Sequence, residues 1–324
     1  MRKIILLIGI LLSFSAQAVD KAFFNQVIIS NVNDAIQTSE KMIKNINQGN
    51  QGNIKNAQAT FAQLVNTWKK VESTYVLGDL NEDYLDTPRY IDIFHGNNED
   101  IKQQLDLIIN TTDDLSYALY KNSHKTINAL EYVLFTQDIS NKRVGNMALI
   151  MAKSINQYLR KILLGYQQNK SKFLKSEQFA SAVLLNTLVA DTYKLKEWRI
   201  GDVLGLSKKY LGKADAHRAE YTISNNSMNA IRSILVAHKQ VIDANGYKDF
   251  GDVAREFGAN KQINIAIQRL NHSIQLANNM TDANFVGSKG EALYVAVSQL
   301  MQSYYISLMD RLGFVSKVLD ADGD

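Results

Sequence analysis

Three polar residues in one short apolar stretch are the first candidates for chemistry in this chain. His124, Asn128 and Glu131 lie at positions i, i+4 and i+7 of SHKTINALEYVLF, residues 123–135. At 3.6 residues per turn, this spacing puts the three side chains on one face of a helix. Because apolar residues border that face, a carboxylate held there needs a cation, a hydrogen-bond donor or a proton. Glu131 is therefore the expected centre of a site.

Carboxylate and imidazole groups on one helix face are suitable ligands for iron or another divalent metal. We therefore interpret Glu131 and His124 as candidate metal ligands, with the amide oxygen of Asn128 beside them. A structural alternative is that Glu131 pairs with an arginine and fixes the docking of two helices. The residues alone leave both interpretations open.

The composition predicts an all-α protein, and the first 18 residues predict that it is exported. One proline and 17 glycines in 324 residues interrupt helices only rarely. The chain opens MRKIILLIGILLSFSAQA, in which two basic residues, a short apolar run and an A-x-A site are typical of a secretory signal peptide cleaved after Ala18. Since a membrane span needs about 20 apolar residues, we expect no transmembrane segment. The expected location is the periplasm or the periplasmic face of the outer membrane.

Cysteine content, charge and motifs exclude several function classes. The chain has no cysteine, which excludes disulfides, thiolate metal sites and thiol nucleophiles. Its formal charge of +4 falls to +2 without Arg2 and Lys3, which is too weak a bias to indicate nucleic acid. No HExxH, phosphate-loop or GxSxG motif occurs among the 324 residues. His238 and His272 lie in amphipathic stretches and are interpreted as solvent-facing or capping residues.

Apolar periodicity predicts the helices that position these residues. The first half contains predicted helices over 19–48, 54–77, 101–120 and 123–135, with a break near 111–113 and an irregular stretch over 78–98. The second half repeats the scheme, with helices over 144–168, 176–206, 227–244, 249–257, 261–280 and 291–312. TWKKVE at 67–72 and TYKLKE at 192–197 are similar.

This repetition predicts two tandem four-helix bundles, the pattern of an internal duplication. The predicted division is a signal peptide over 1–18, an N-terminal bundle over 19–139 that carries the stretch around Glu131, and a C-terminal bundle over 140–324.

The stretch around Glu131 resembles the signature helix of the imelysin-like proteins, written GxHxxE and followed by an aromatic and apolar residues. Thr126 stands at the position of the motif glycine, Asn128 at that of the histidine and Glu131 at that of the glutamate. Only the glutamate is retained. Because a neutral amide oxygen is a poorer ligand for transition metals than imidazole, His124 is the residue that could supply the missing imidazole.

Two other stretches resemble the same family. Arg89 and Asp92 match an R-I-D core in the long irregular stretch, and Arg199, Glu220 and Ser224 match a glycine-bearing turn followed by a glutamate and serines. The resemblance implies that these residues and the signature helix meet in one ligand site, with Asp92 as a second metal carboxylate. On the residues alone, the first pair could form a surface ion pair or loop hydrogen bonds, and Ser224 or Ser227 could cap the following helix. Similarly, Glu220 could share a metal with His217 or lie at the surface.

The resemblance implies a role in bacterial iron uptake. The leading hypothesis is a non-catalytic envelope protein that binds a metal ion or small ligand and has envelope iron-uptake proteins as partners. The second is a metallopeptidase-like hydrolase, which needs a metal with an open coordination position and a general base. A third hypothesis is a helical scaffold or polymer-binding protein without metal. Loss of the motif histidine makes the hydrolase weaker than the first hypothesis.

Overall fold

The protein is all-α, as the composition predicts. The computed structural model describes residues 21–49, 54–95 and 99–316, and no β-strand occurs among them. Helices of seven or more residues are α1 (Ser30–Gly49), α2 (Ile54–Ser73), α3 (Ile101–Ile109), α4 (Ile127–Thr136), α5 (Lys142–Phe173), α6 (Glu177–Lys194), α7 (Ser227–Ile242), α8 (Phe250–Glu256), α9 (Asn260–Asn278) and α10 (Ser288–Gln302).

Three of these helices continue into π-helical turns. The turns are Phe24–Ile29 before α1, Leu195–Gly201 after α6 and Ser303–Leu308 after α10. None of the helices in the described residues is both long and apolar enough to cross a membrane. The predicted signal peptide, residues 1–18, lies outside the described residues.

The first two helices pack against each other as a hairpin at the centre of the packing. α1 packs against α2 and α5, and α2 packs against α7 as well. Phe61, Leu64 and Trp68 are fully buried on α2, as their helical spacing predicts. Since α5 and α7 follow residue 139 in the chain, one apolar core joins both halves of the sequence. The boundary at 139/140 and the internal duplication stay predictions.

The helix that carries Glu131 begins later than its apolar pattern suggests. Residues Ser123–Lys125 form a separate 3-10 turn, and α4 starts at Ile127. Thr126 adopts an extended backbone and its Oγ1 accepts a hydrogen bond from the Ala129 amide at 3.3 Å. An N-cap of this kind ends the helical register on its N-terminal side. His124 therefore does not belong to the helix of Asn128 and Glu131.

The long irregular stretch predicted at 78–98 is confirmed over its described part. It contains only short turns, at Leu77–Leu80, Glu82–Tyr84 and Thr87–Tyr90. A backbone hydrogen bond of 2.8 Å from the Ile127 amide to the Ile91 carbonyl fixes it against the start of α4. The loop is thereby held beside the helix that carries Glu131.

Candidate functional site

A buried lysine that sequence reasoning did not single out is the centre of the polar interior. The Nζ atom of Lys69 lies 2.7 Å from Glu72, 2.8 Å from Asp92 and 2.5 Å from Glu220, and the side chain is 0% exposed. Burial lowers the pKa of Lys69, but the three carboxylates outweigh this effect and raise it above its usual range. Lys69 is therefore a permanent cation that joins α2, the long loop and the segment before α7.

Asp92 is the most densely hydrogen-bonded carboxylate of this interior. Its Oδ2 accepts from Trp68 Nε1 at 2.9 Å, Lys69 Nζ at 2.8 Å and Tyr221 Oη at 2.6 Å. Its Oδ1 accepts from the Phe94 amide at 3.0 Å. Burial raises the pKa of Asp92, but Lys69 and these donors lower it well below its usual range. The surface ion pair considered for Asp92 is therefore wrong.

Arg199 closes the other side of the lysine. Its Nε donates to Glu220 at 2.8 Å and its Nη2 donates to Glu72 at 3.0 Å. It lies on the π-helical turn Leu195–Gly201 that extends α6, and such turns are frequent at functional sites. We name Lys69, Glu72, Asp92, Arg199, Glu220 and Tyr221 the seam cluster.

The seam cluster has more acids than bases. Two cations, Lys69 and Arg199, face three carboxylates, so the cluster carries one negative charge when every acid is ionised. Glu220, with a side chain 2% exposed, is the acid in which burial outweighs the nearby cations and raises the pKa to about 7. The cluster can therefore take up a proton near neutral pH.

Glu131 lies beside the seam cluster and has different partners. Its Oε1 accepts from both the amide of Ser224, at 2.9 Å, and its hydroxyl, at 2.7 Å. Burial raises its pKa, the two Ser224 bonds lower it, and the net shift is upward. No ion pair to Glu131 occurs in the described part of the chain, so the alternative of an arginine partner is wrong.

The segment that supplies Ser224 has an unusual backbone. Tyr221 and Asn225 have φ values of 57° and 55°, in the left-handed region that residues other than glycine seldom adopt. The first of these conformations accompanies the Tyr221 bond to Asp92, and between the two positions Ser224 reaches Glu131. This backbone therefore connects the two carboxylates.

Asn128 and Thr126 fix the loop and the helix rather than facing an open space. Asn128 Oδ1 accepts from the Ile93 amide at 3.0 Å, next to Asp92 in the chain. Thr126 is buried and caps α4. These two residues therefore set the distance between the long loop and Glu131.

Two predicted site residues, His124 and Arg89, have partners outside the seam cluster. His124 is buried, and its Nε2 pairs with Gln104 Oε1 at 2.8 Å. Arg89 has a side chain that is 79% exposed and forms a surface ion pair with Asp86 at 3.5 Å, and not with Asp92. Asp92, Arg199 and Glu220 meet around Lys69, and Ser224 contacts Glu131; that these residues form one ligand site stays a prediction.

The structure corrects two further interpretations. His238 is 0% exposed, and its Nε2 lies 2.8 Å from Asp191 Oδ2, so it is neither solvent-facing nor a cap. It lies among the buried residues of α7. Ser224 does not cap α7, because Asp282 instead accepts from the amides of Ser227 and Met228, each at 2.8 Å. His217 and His272 are exposed, and His217 does not share a contact with the buried Glu220.

Lys69, Glu72 and Tyr221 are the cluster residues that sequence reasoning missed. A signal was present for the first, because Lys69 continues the i, i+4, i+8 row of Phe61 and Val65 on the buried face of α2. A lysine on such a row predicts a buried cation that needs acids around it. Trp68 is buried as predicted, yet its indole also donates to Asp92.

The donor set around Glu131 does not form a closed metal centre. Asp92 is occupied by four protein donors, and His124 pairs with Gln104. Over 21–49, 54–95 and 99–316, no group of three or more His, Asp or Glu side chains is arranged to hold a metal ion. The residues Glu131, His124 and Asp92 therefore do not fit a resident metal cofactor.

Comparison with known proteins gives a family match and a fold match. The family model described as imelysin, peptidase M75, matches residues 30–302. A crystal structure of an imelysin-like protein from Psychrobacter arcticum 273-4 superposes with a TM-score of 0.74, covering 92% of this chain and 95% of that chain at 18% identity. At that identity the likeness shows the fold alone. No curated protein matches the chain.

Proposed function

The chain belongs to the imelysin family, and from this premise we propose that it is an exported, non-catalytic binding protein of bacterial iron uptake. Its ligand would bind at Glu131, beside the seam cluster. The proposal depends on one observation: Glu131 is a buried carboxylate without a cationic partner in the described residues. An uncompensated acid in such a place favours the arrival of a positive charge.

The geometry around Glu131 supports the choice of a cationic ligand. Both protein donors, the amide and hydroxyl of Ser224, use Oε1, and no hydrogen bond from the described residues reaches Oε2. Burial keeps the net shift in the pKa of Glu131 upward; among the nearby charges, Lys102 lowers this pKa and Asp92 raises it, but neither forms an ion pair with Glu131. A bound cation would remove the desolvation penalty of the ionised carboxylate and lower that pKa.

Iron is proposed as cargo rather than as a resident cofactor. Hard oxygen donors suit iron and other divalent ions, and one free carboxylate with neutral oxygens nearby gives a weak, reversible site. Weak binding is suitable for a protein that passes a metal or a small metal complex to another envelope component.

The seam cluster supports a binding role over hydrolysis. Each of its carboxylates is engaged with Lys69 or Arg199, so none is a free general base beside Glu131. Peptide hydrolysis by a metal also needs a site with several protein ligands and an open position. The cluster instead has the character of a rigid support that holds Ser224 and the loop in place.

Metal content of protein purified without a histidine tag tests the proposal. Mature wild-type protein and the Glu131→Gln variant are dialysed to equilibrium against ferrous iron without oxygen, and the iron bound above the level of the dialysis buffer is measured by elemental analysis. Glutamine keeps an acceptor for Ser224 but removes the charge, so the variant should lose the bound iron while wild type retains it. Glu40→Gln, at an exposed carboxylate paired with Arg160, is the matched control and should retain iron.

Other results would favour the remaining hypotheses. Iron that is absent from all three proteins would contradict the proposal and favour a scaffold or polymer-binding role. Cleavage of a denatured protein substrate by wild type, abolished by a chelator, would favour the metallopeptidase-like hydrolase.

A further inference from the structure

A cavity of about 360 Å³ is lined by Glu72 of the seam cluster but not by Lys69. Its walls come from the long loop, through Tyr75, Leu85 and Pro88, and from α6, through Val189, Ala190 and Asp191. This volume lies within the range of sites that bind small molecules, about 300–1,000 Å³. The residues of the signature helix do not line it, so it is distinct from the site at Glu131.

Asp191 lines this cavity with a carboxylate of which only one oxygen has a hydrogen-bond partner in the described residues. The residue is 5% exposed, and its Oδ2 lies 2.8 Å from Nε2 of the fully buried His238. The described residues give no hydrogen bond to its Oδ1. Burial raises the pKa of Asp191, but the His238 contact and nearby cations lower it, and the net shift is downward. An ionised carboxylate with one oxygen that accepts no hydrogen bond from the described residues thus borders a half-open cavity.

The cations on the cavity wall already have other partners. Arg89 is largely exposed and lies 3.5 Å from Asp86, and Lys194 lies 5.7 Å from the ring centre of Trp198. Glu72, at the end nearest the seam cluster, is neutralised by Lys69 and Arg199. Asp79 also lines the cavity but is exposed, so Asp191 is the buried charge that a ligand in the cavity would meet.

The remaining walls suit an organic rather than a hydrated inorganic ion. Leu85, Pro88, Val189 and Ala190 provide apolar surface, and the rings of Tyr75 and Tyr193 line the same space. Aromatic faces attract organic cations, and apolar walls accept their methylene groups.

We propose that this cavity is a second ligand site, which binds a small aliphatic amine with its ammonium group on Asp191 and its carbon chain against Val189 and Ala190. The ammonium group donates to the free Oδ1, while His238 holds Oδ2 from the other side. Such a site would let the protein bind an amine and the cation at Glu131 independently.

Calorimetric titration of the full mature chain tests this site with three four-carbon probes. These probes are 1,4-diaminobutane, butane-1,4-diol and succinate, which share a length and differ in charge. The diamine should bind in a one-to-one ratio, and the diol and the dicarboxylate should bind at least about tenfold more weakly, a difference of about 1.4 kcal/mol. Equal binding of diamine and diol, or tighter binding of succinate, would overturn the proposal.

Two variants locate the binding. Asp191→Asn keeps an acceptor for His238 but removes the charge, and Ala190→Leu fills the cavity without touching a charged group. Each should weaken diamine binding at least tenfold, whereas Ala182→Leu, on the same helix but away from the cavity, should bind like wild type. Unchanged binding by Ala190→Leu would overturn the proposal even if the Asp191 variant does not fold. Glu131→Gln should bind the diamine normally, which separates this site from the iron site.

Discussion

Asp92 and Glu131 are two buried carboxylates of the same interior with opposite electrostatic surroundings. Asp92 is 8% exposed and accepts four hydrogen bonds, one of them from the cation Lys69. Glu131 is 5% exposed and accepts two, both from the neutral Ser224. The pKa of Asp92 is lowered and that of Glu131 is raised.

The difference shows that burial alone does not decide what an acid does. A carboxylate whose charge is neutralised by protein groups holds helices and loops together, as Asp92 does between α2 and the segment before α7. A carboxylate with only neutral donors keeps an electrostatic deficit that an external cation or a proton can fill. On this basis Asp92 has a structural role, and Glu131 is the carboxylate that can take up an external cation or a proton.

The largest loss of stability should come from replacing Lys69, the cation that neutralises Asp92. Lys69→Met keeps the length of the side chain but leaves Asp92 and Glu220 buried without that charge. Breaking a buried ion pair in this way costs about 3–5 kcal/mol. Chemical denaturation at pH 7 should show a fall of this size in the free energy of unfolding.

A surface lysine provides the control for this change. Lys41→Met, at an exposed residue of α1 that contacts Gln63, should alter the free energy of unfolding by no more than about 0.5 kcal/mol. If the free energy of unfolding falls by the same amount in both variants, Lys69 does not neutralise the cluster. The contrast between Asp92 and Glu131 would then be wrong.

The helices and the Glu131 face could be predicted from local spacing, since 3.6-residue periodicity and rare breakers decide both. The position of His124 could not be predicted in this way, because the helix begins at the Thr126 cap, between His124 and Asn128. The sequence does not show whether such a threonine caps a helix or lies within it. Lys69 was missed for a related reason. Its row on α2 and its neighbour Glu72 are visible in the sequence, but its other two acids, Asp92 and Glu220, lie 23 and 151 positions away.

Tertiary contacts also decided the roles of Ser224 and His238. A serine just before a helix is an ordinary N-cap by sequence, yet Asp282, 55 positions beyond Ser227, takes that role and leaves Ser224 for Glu131. His238 is paired with Asp191, 47 positions earlier. Such long-range pairs leave no mark in periodicity, so the site could be predicted only in outline and through the family resemblance.

Removal of one hydroxyl from each carboxylate sharpens the comparison. Tyr221→Phe removes a donor at 2.6 Å from the ionised Asp92 and should cost about 1.5–3 kcal/mol, the range for hydrogen bonds to charged groups. Ser224→Ala removes the hydroxyl donor to Glu131 but keeps the amide donor, and should cost about 0.5–1.5 kcal/mol. Denaturation of both variants at pH 7 gives the two values. The reverse order would show that Glu131 depends on its protein donors more than Asp92 does.

The smallest effect should come from Glu131→Gln, and its sign depends on pH. Since the folded protein raises the pKa of Glu131 above the ordinary value of 4.5, it binds that proton more tightly than the unfolded chain. The stability from this group is complete below pH 4.5 and is lost as pH rises through the folded pKa. Glutamine does not titrate, so the variant should gain stability relative to wild type between pH 4 and pH 8. Other groups titrate alike in both proteins and cancel in the difference of their unfolding free energies. A difference that moves the opposite way would mean that the pKa of Glu131 is lowered, and that a cation already compensates it in solution.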